Sequence, residues 1–412
     1  MQYNWKKNIT IFLSSQAVSI FGSSLVQFAI TAYITIQTQS GVYAMASILC
    51  ATLPTFLLSP FAGVWADKYD RKKLIILADG GIAICTLIVA IIFLLGKGSI
   101  AVLLVALVIR ALGSAVQGPC VGALLPDVVP EEQLARINGI QGTVQAMVSL
   151  VSPMLGGLLL SFAPIGMIFF VDVITAILAI VILLTTFHLP QKDRVEVQQK
   201  SENYFEEMKQ GVRYIFRNKF LIEFFGFVTL FFIMLAPVAF LTQVQVTRNY
   251  GESYWHLSMI EIAFSVGMVL GGILISTWKG MGNKIHTMAF AGVLMGLTTF
   301  LLGLNISFTL YSIIMGICGV SLPIVNAPAV TLLQERVETK YMGRVFGIMT
   351  MISTSMMPLG MVIFGPLADK ISVDVILLGT GVAMILIAVA MTRAKSLCRA
   401  GYSENDSLVG ED

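Results

Sequence analysis

Twelve apolar stretches, each long enough to cross a lipid bilayer, constrain the fold of this chain more than any other feature. Runs of about 17 to 25 apolar residues are typical of membrane-spanning helices. Of all residues, 57% are hydrophobic and only 12% are charged, a composition that excludes a water-soluble domain. The sequence therefore predicts an all-α membrane protein with twelve transmembrane helices. The predicted helices begin near Ile9, Tyr43, Leu74, Ile100, Arg136, Ile165, Phe220, Leu257, His286, Phe308, Gly343 and Val373.

Lys and Arg residues are distributed very unevenly between the two membrane faces that these spans define. Of the 26 Lys and Arg residues, all but four lie on the side of the two termini. The exceptions are Lys97, Arg248 and Lys370 on the other side and Arg110 inside a span. Because cytoplasmic loops carry the excess of basic residues, we expect both termini in the cytoplasm. The net charge of +3 follows from this bias and indicates no nucleic-acid partner.

The chain divides near its middle into two similar halves. The longest polar stretch, about residues 188–219, carries apolar residues at helical spacing and predicts an amphipathic helix. At an offset of 208 residues, Arg136 falls on Arg344, which indicates a duplicated six-helix unit with a binding site at the midplane between the copies. The predicted domains are an N-terminal bundle at 1–187, a cytoplasmic linker at 188–219, a C-terminal bundle at 220–392 and a cytoplasmic tail at 393–412.

One cation and four carboxylates lie inside predicted spans. Arg110 is about 15 Å along the fourth span, near the bilayer centre, and must face protein or water there. An internal salt bridge that only holds helices together is the alternative to a functional role. A buried carboxyl can carry a proton reversibly, and a nearby guanidinium competes with that proton.

The four carboxylates differ in depth. Asp79 and Glu223 lie within one or two turns of the cytoplasmic face, which favours structural roles for them, and Asp172 lies deeper. Glu261, followed one turn later by Ser265, is the first choice, with a hydrogen-bonded carboxylate near the outer surface as the alternative. The candidates for proton coupling are Arg110, Glu261, Asp172 and Glu223.

Polar side chains form a stripe along two of the apolar spans. Gln16, Ser19, Ser23 and Gln27 recur at helical spacing in the first span, and the fifth span repeats the pattern from Gln141. Such stripes cannot face lipid, and neutral amides suit a large amphipathic ligand, although contacts that hold helices together are the alternative. The candidate substrate-binding residues are Gln16, Ser23, Gln27, Gln117, Gln141, Gln145, Phe227, Phe231, Glu261 and Asn326.

Several motifs connect the chain to one transporter family. The turn from Gly63 to Lys73, with four cations and two carboxylates, resembles the loop between helices 2 and 3 of the major facilitator superfamily. The segment that begins at Arg110 is similar to the fourth-helix motif of drug antiporters in that family, with Gly113 one position early. Further segments resemble its macrolide efflux proteins: Val129 to Leu134, Met208 to Val212, Glu261 to Met268 and Gly343 to Phe346.

The resemblance implies a fold and an activity. It implies two pseudo-symmetric six-helix bundles in a bacterial cytoplasmic membrane, with Asp172 on an outer wall. It also implies proton-driven export of macrolides or other amphipathic drugs by alternating access. Asp70 stands where the family has glycine, so we expect it to accept a left-handed turn. The cytoplasmic latch implied by the resemblance consists of Gly63, Asp67, Arg71, Asp127, Arg136 and Arg344, with Asp67 and Arg71 bridging helix ends.

Other functions remain open at this point. The same fold could export a physiological solute such as a siderophore or lysophospholipid, or another drug class such as tetracyclines. A membrane sensor or an intramembrane enzyme would need a signalling domain or a catalytic constellation, and the sequence displays neither. The three His and five Cys residues have no metal-ligand spacing, and no nucleotide-phosphate loop is present. We therefore expect a monomeric transporter in the bilayer that uses a proton gradient and no cofactor.

Overall fold

The described part of the chain is built from helices. A computed structural model describes residues 5–185, 204–278 and 280–402, without the side chains at 60, 67, 131, 135, 204–209 and 211. No β-strand occurs among these residues. The twelve long helices are α1 (Trp5–Thr38), α2 (Gly41–Lys68), α3 (Arg71–Leu94), α4 (Ile100–Val128), α5 (Glu131–Phe162), α6 (Ile165–Thr185), α8 (Lys219–Tyr250), α9 (Tyr254–Trp278), α10 (Lys284–Leu302), α11 (Phe308–Arg336), α12 (Met342–Ala368) and α13 (Val373–Arg393). The two short helices are α7 (Tyr204–Arg217) and α14 (Lys395–Ala400).

The twelve long helices confirm the predicted transmembrane count. Each is long and apolar enough to cross a membrane. Every predicted start lies within five residues of an observed one, and the largest difference is at α5, which begins at Glu131 and not near Arg136. Hydropathy therefore located the spans. It missed polar first turns such as that of α5, because polar residues at a helix end are not counted as part of the apolar run.

The turn between α2 and α3 differs from the expected conformation. Asp70 has φ −66° and ψ 110°, so it does not adopt the left-handed turn expected at the family's glycine position. Its side chain instead accepts a hydrogen bond from the backbone N–H of Lys73 at 3.2 Å and caps the start of α3. Short acidic side chains favour this position because they satisfy an N–H that has no partner within the helix. The one non-glycine residue with positive φ in the described ranges is Gln39, between α1 and α2.

The chain forms two compact units. Unit 1 contains Met1–Gln39, Tyr43–Glu196 and Gly251–Ile262, and unit 2 contains Ser40–Val42, Val197–Tyr250 and Ala263–Asp412. In unit 1, α1 packs against α5 and α6, and α3 packs against α4 and α6. In unit 2, α10 packs against α11 and α13, and α8 packs against α12 and α13. The predicted domain boundaries at 187, 219 and 392 stay predictions.

Small residues bring two helices of unit 2 into close contact. A Cβ atom added at Gly267 would meet the backbone of Gly316, and one added at Gly271 would meet the backbone of Val320. The neighbouring Gly272 has no atom within 4 Å of its Cβ position. Backbones that approach this closely are typical of membrane helices whose interface consists of glycine and other small residues.

Two short helices pack against the end of unit 2. In α7, Tyr214 stacks on Tyr341 with ring centroids 4.3 Å apart, so the predicted linker helix exists and is anchored. In α14, the carbonyl of Cys398 accepts a hydrogen bond from Asn283 Nδ2 at 2.8 Å, and that of Ala400 accepts one from Arg336 Nε at 3.0 Å. The predicted tail therefore begins as a packed helix, and residues 403–412 lie outside the described part of the chain.

Candidate functional site

A polar cavity of about 450 Å³ lies within unit 1. It brings together side chains from α1, α4 and α5 that the sequence singled out as a polar stripe or as candidate ligands. Those residues are Gln16, Ser23, Gln27, Arg110, Gln117, Gln141 and Gln145. The cavity is also lined by Ser24, Thr52 and Ser114, which sequence reasoning missed. Ser114 follows Arg110 by four residues, so the helical period could have placed both on one face of α4.

A buried ion pair stands at the wall of this cavity. The guanidinium of Arg110 binds the carboxylate of Asp172, and the two residues are only 4% and 1% exposed. Arg110 also donates to the hydroxyl of Thr86 and to the backbone carbonyl of Ser23, the latter at 3.1 Å. The Ser23 hydroxyl in turn donates to Asp172 Oδ1 at 2.8 Å. Asp172 therefore faces the interior of unit 1, where Ser23 of α1, Thr86 of α3 and Arg110 of α4 bind its carboxylate, although the resemblance implied an outer wall.

A second carboxyl belongs to the same polar layer. Asp79 on α3 is 2% exposed, and its Oδ1 accepts hydrogen bonds from Ser19 Oγ at 2.9 Å and from Gln117 Nε2 at 2.8 Å. Gln117 also approaches Gln16 Oε1 at 3.4 Å. Since Gln16 and Gln117 both line the cavity, Asp79 lies directly behind its wall. The sequence indicated the carboxyl but not its hydrogen-bond partners, because these come from two other helices, α1 and α4.

The remaining two carboxylate candidates lie elsewhere. Glu261 is half-buried in α9, one turn before the buried Ser265, and lines neither the unit 1 cavity nor the apolar cavity of unit 2. Glu223 accepts a hydrogen bond from Ser396 in α14 and lies 3.8 Å from the ammonium group of Lys219. Glu223 therefore helps to hold α14 against α8. The roles of both residues in proton coupling stay predictions.

Unit 2 contains a small apolar cavity of about 40 Å³. It brings together Phe227 and Phe231 of α8 with Asn326 of α11, three residues that the sequence proposed as substrate ligands. Methionine side chains from three further helices complete the wall at Met288, Met349 and Met391. Flexible thioethers adapt to irregular apolar shapes, so this cavity can accept apolar groups of different outline.

One ion pair joins two residues of the predicted cytoplasmic latch. Arg71 forms an ion pair with Asp127 at the end of α4 and donates to the backbone carbonyls of Ala66 and Ala123 at 2.9 and 2.8 Å. The side chain of Asp67 lies outside the described part, so its predicted contact with Arg71 does too. The other members have different surroundings. Gly63 has open space around its Cβ position, Arg136 is exposed on α5, and Arg344 stacks over the ring of Tyr341.

Comparison with known proteins decides the family. A family model described as Major Facilitator Superfamily matches residues 9–361. The chain belongs to this superfamily. Macrolide efflux protein A of Streptococcus pyogenes is 31% identical over 390 residues, covering 94% of this chain and 95% of that protein. Macrolide efflux protein A of Enterococcus faecalis is 29% identical, covering 76% of this chain and 97% of that protein.

Solved structures agree with this assignment at the level of the fold. A bacterial homologue of the human lysosomal transporter Spinster superposes with a TM-score of 0.68, at 14% identity, over 98% of this chain and 100% of that one. The predicted fold, twelve helices in the two-bundle arrangement of the major facilitator superfamily, is therefore confirmed. As a member of that superfamily, the protein is a multi-pass membrane transporter and not an enzyme.

Proposed function

We propose that this protein exports macrolide-type or other bulky amphipathic drugs across the bacterial cytoplasmic membrane in exchange for protons. The observation that carries this proposal is the amide-lined cavity of unit 1 with Arg110 in its wall. The two curated macrolide efflux proteins, which are similar over most of the chain, support the same substrate class. The protein works as a monomer with both termini in the cytoplasm.

The chemistry of the two cavities suits amphipathic compounds. Gln side chains offer both donors and acceptors without a fixed charge, so they can bind hydroxyl, ether and carbonyl groups in several orientations. The phenylalanine and methionine walls of the unit 2 cavity suit apolar groups. A site of this kind discriminates weakly between shapes, which is the property that a drug exporter needs.

Proton coupling requires an ionisable group that responds to the state of the cavity. Arg110 and Asp172 are bonded to each other at its wall, and Glu261 and Glu223 are the further candidates named by the sequence. At the cytoplasmic end, the ion pair of Arg71 with Asp127 is the contact that we expect to break and reform during alternating access.

Accumulation of a radiolabelled macrolide in cells tests the proposal. Cells that express the protein should hold less label than cells with an empty vector, and a protonophore should remove the difference. An Arg110→Ala variant, present at equal abundance, should behave like the empty vector, whereas Glu132→Ala on the exposed face of α5 should behave like the wild type. Equal accumulation in all cells would refute macrolide export. A thermal-shift screen of siderophores, lysophospholipids and tetracyclines would then identify the alternative substrate.

A further inference from the structure

Only one of the two carboxyl oxygens of Asp79 has hydrogen-bond partners among the described residues. Ser19 and Gln117, both neutral, donate to Oδ1. Oδ2 is completely buried and has no hydrogen-bond partner among the residues that the structure describes. An ionised carboxylate attracts donors to both oxygens, and removal from water makes each missing bond costly. A protonated carboxyl is neutral, so an Oδ2 hydroxyl without a partner costs less than a carboxylate oxygen without a donor.

The charges of the buried residues also favour a proton in this layer. Asp79, Arg110 and Asp172 are the charged side chains among the buried residues that the structure describes. Arg110 is the single cation of the three, and its guanidinium is bonded to Asp172. With both carboxyls ionised, the buried layer would hold one uncompensated negative charge in the membrane. A proton on one of them makes the layer neutral.

Among the described residues, no cation is bonded to Asp79, because Arg110 of the neighbouring α4 is bonded to Asp172. From α1 the group that faces it is the hydroxyl of Ser19, and the basic residues of that helix lie in its first turn. From α4 it meets the amide of Gln117, with the thiol of Cys120 in the apolar cluster nearby. The single ionisable residue of α6 is Asp172, which is bonded to Arg110 and supplies no cation.

We propose that Asp79 holds the exchangeable proton of the unit 1 cavity, on Oδ2, and that Gln117 is the residue that connects this acid to the cavity. Proton exchange with water converts the neutral acid into a carboxylate and changes no other bond. Asp172 stays bonded to Arg110 throughout. The use of this proton for export rests on the function proposed above, but its presence on Asp79 does not.

Gln117 gives the buried acid a route to the ligand. Its amide donates to Asp79 and also lines the cavity. A compound that binds in the cavity and recruits this amide changes the hydrogen bonding of Asp79 without touching it. Gln117 is therefore a positioning residue, and Asp79 responds through it.

Infrared spectroscopy of the purified protein in a detergent that contains no carbonyl group tests the proposal directly. A protonated carboxylic acid has a carbonyl stretching band that a carboxylate lacks. At about pH 7, where an unperturbed Asp is ionised, we expect this band in the wild type and its loss in Asp79→Asn. Matched carboxyl-to-amide changes at Glu223→Gln and Glu261→Gln should leave the band in place.

Two further measurements support the test. The first does not depend on the folding of Asp79→Asn, and the second measures that folding. Gln117→Ala retains the acid but removes one hydrogen bond to Oδ1, so the band should move to higher frequency. Asn is nearly isosteric with a neutral Asp, so Asp79→Asn should melt close to the wild type. A wild-type spectrum without the band, or a band that disappears in Glu261→Gln and persists in Asp79→Asn, would overturn the proposal. None of these measurements uses a substrate, so a failure of macrolide export would leave the assignment of the proton intact.

Discussion

The ion pair between Arg110 and Asp172 leads to a sharp prediction about stability. Replacing Asp172 with Asn removes the negative charge but preserves the shape of the side chain. The Asn amide oxygen can still accept a hydrogen bond from Arg110, beside the Thr86 hydroxyl and the Ser23 carbonyl, but the guanidinium loses its counter-charge. Arg110 is only 4% exposed, so its unpaired guanidinium would stay largely removed from water.

The expected size of this effect follows from the burial of both partners. Breaking a fully buried ion pair by removing one partner costs about 3–5 kcal/mol. Since 1 kcal/mol shifts the melting temperature of a unit with about 150–250 residues by about 2–4 °C, we expect Asp172→Asn to melt roughly 6–20 °C lower. Replacing both partners with neutral residues, in Arg110→Met with Asp172→Asn, removes the unpaired charge and should restore part of the loss.

Thermal unfolding of the purified variants in one detergent, with Arg110→Met as the fourth corner of a double-mutant cycle, measures these effects. The melting temperature of the double variant should exceed that of Asp172→Asn, and none of the three variants should export drug. If Asp172→Asn has the melting temperature of the wild type, the ion pair does not stabilise the protein by the expected amount of about 3–5 kcal/mol. If the double variant melts at the temperature expected from adding the two single changes, the residues act independently.

Two packing predictions in unit 2 have matched controls at adjacent positions. Gly271→Ala places a methyl group on the backbone of Val320 and should destabilise the protein by about 1–3 kcal/mol. Gly272→Ala meets no atom and should be neutral or stabilise the protein by up to about 1 kcal/mol. Equal melting temperatures of the two variants would contradict the close packing of α9 on α11. Asp369 accepts hydrogen bonds from the first backbone N–H groups of α2, so Asp369→Ala should destabilise the protein by about 1 kcal/mol, and exposed Lys370→Ala by less than about 0.5 kcal/mol. Urea or thermal unfolding of each pair decides between these outcomes.

Much of the fold could be predicted from the sequence because its signals are local. The length of an apolar run sets the length of a transmembrane helix, and the bias of Lys and Arg sets the expected orientation. The polar stripe from Gln16 to Gln27 could be placed on one face by the helical period alone. Six of the stripe and amide positions line one cavity, because polar side chains are costly against lipid: Gln16, Ser23, Gln27, Gln117, Gln141 and Gln145.

The partners of the buried charges could not be predicted in the same way. Arg110 and Asp172 are 62 residues apart in the chain, and hydropathy does not report how a helix is rotated about its axis. Depth alone assigned Asp79 a structural role, because the sequence does not show that a second carboxyl shares its layer with a single cation. The contact of Glu223 with Ser396 was also hidden, since no pattern predicts that a short helix after the last span folds back.

Transport in vesicles that contain only the purified protein tests proton-coupled export most directly. With the vesicle interior more acidic than the medium, protons leave through the protein, and a radiolabelled macrolide should enter faster than into protein-free vesicles under the same gradient. The excess should vanish without the gradient and in Arg110→Ala vesicles of equal protein content. Uptake equal to that of protein-free vesicles, or an excess that does not depend on the gradient, would contradict proton-coupled export through the cavity of unit 1.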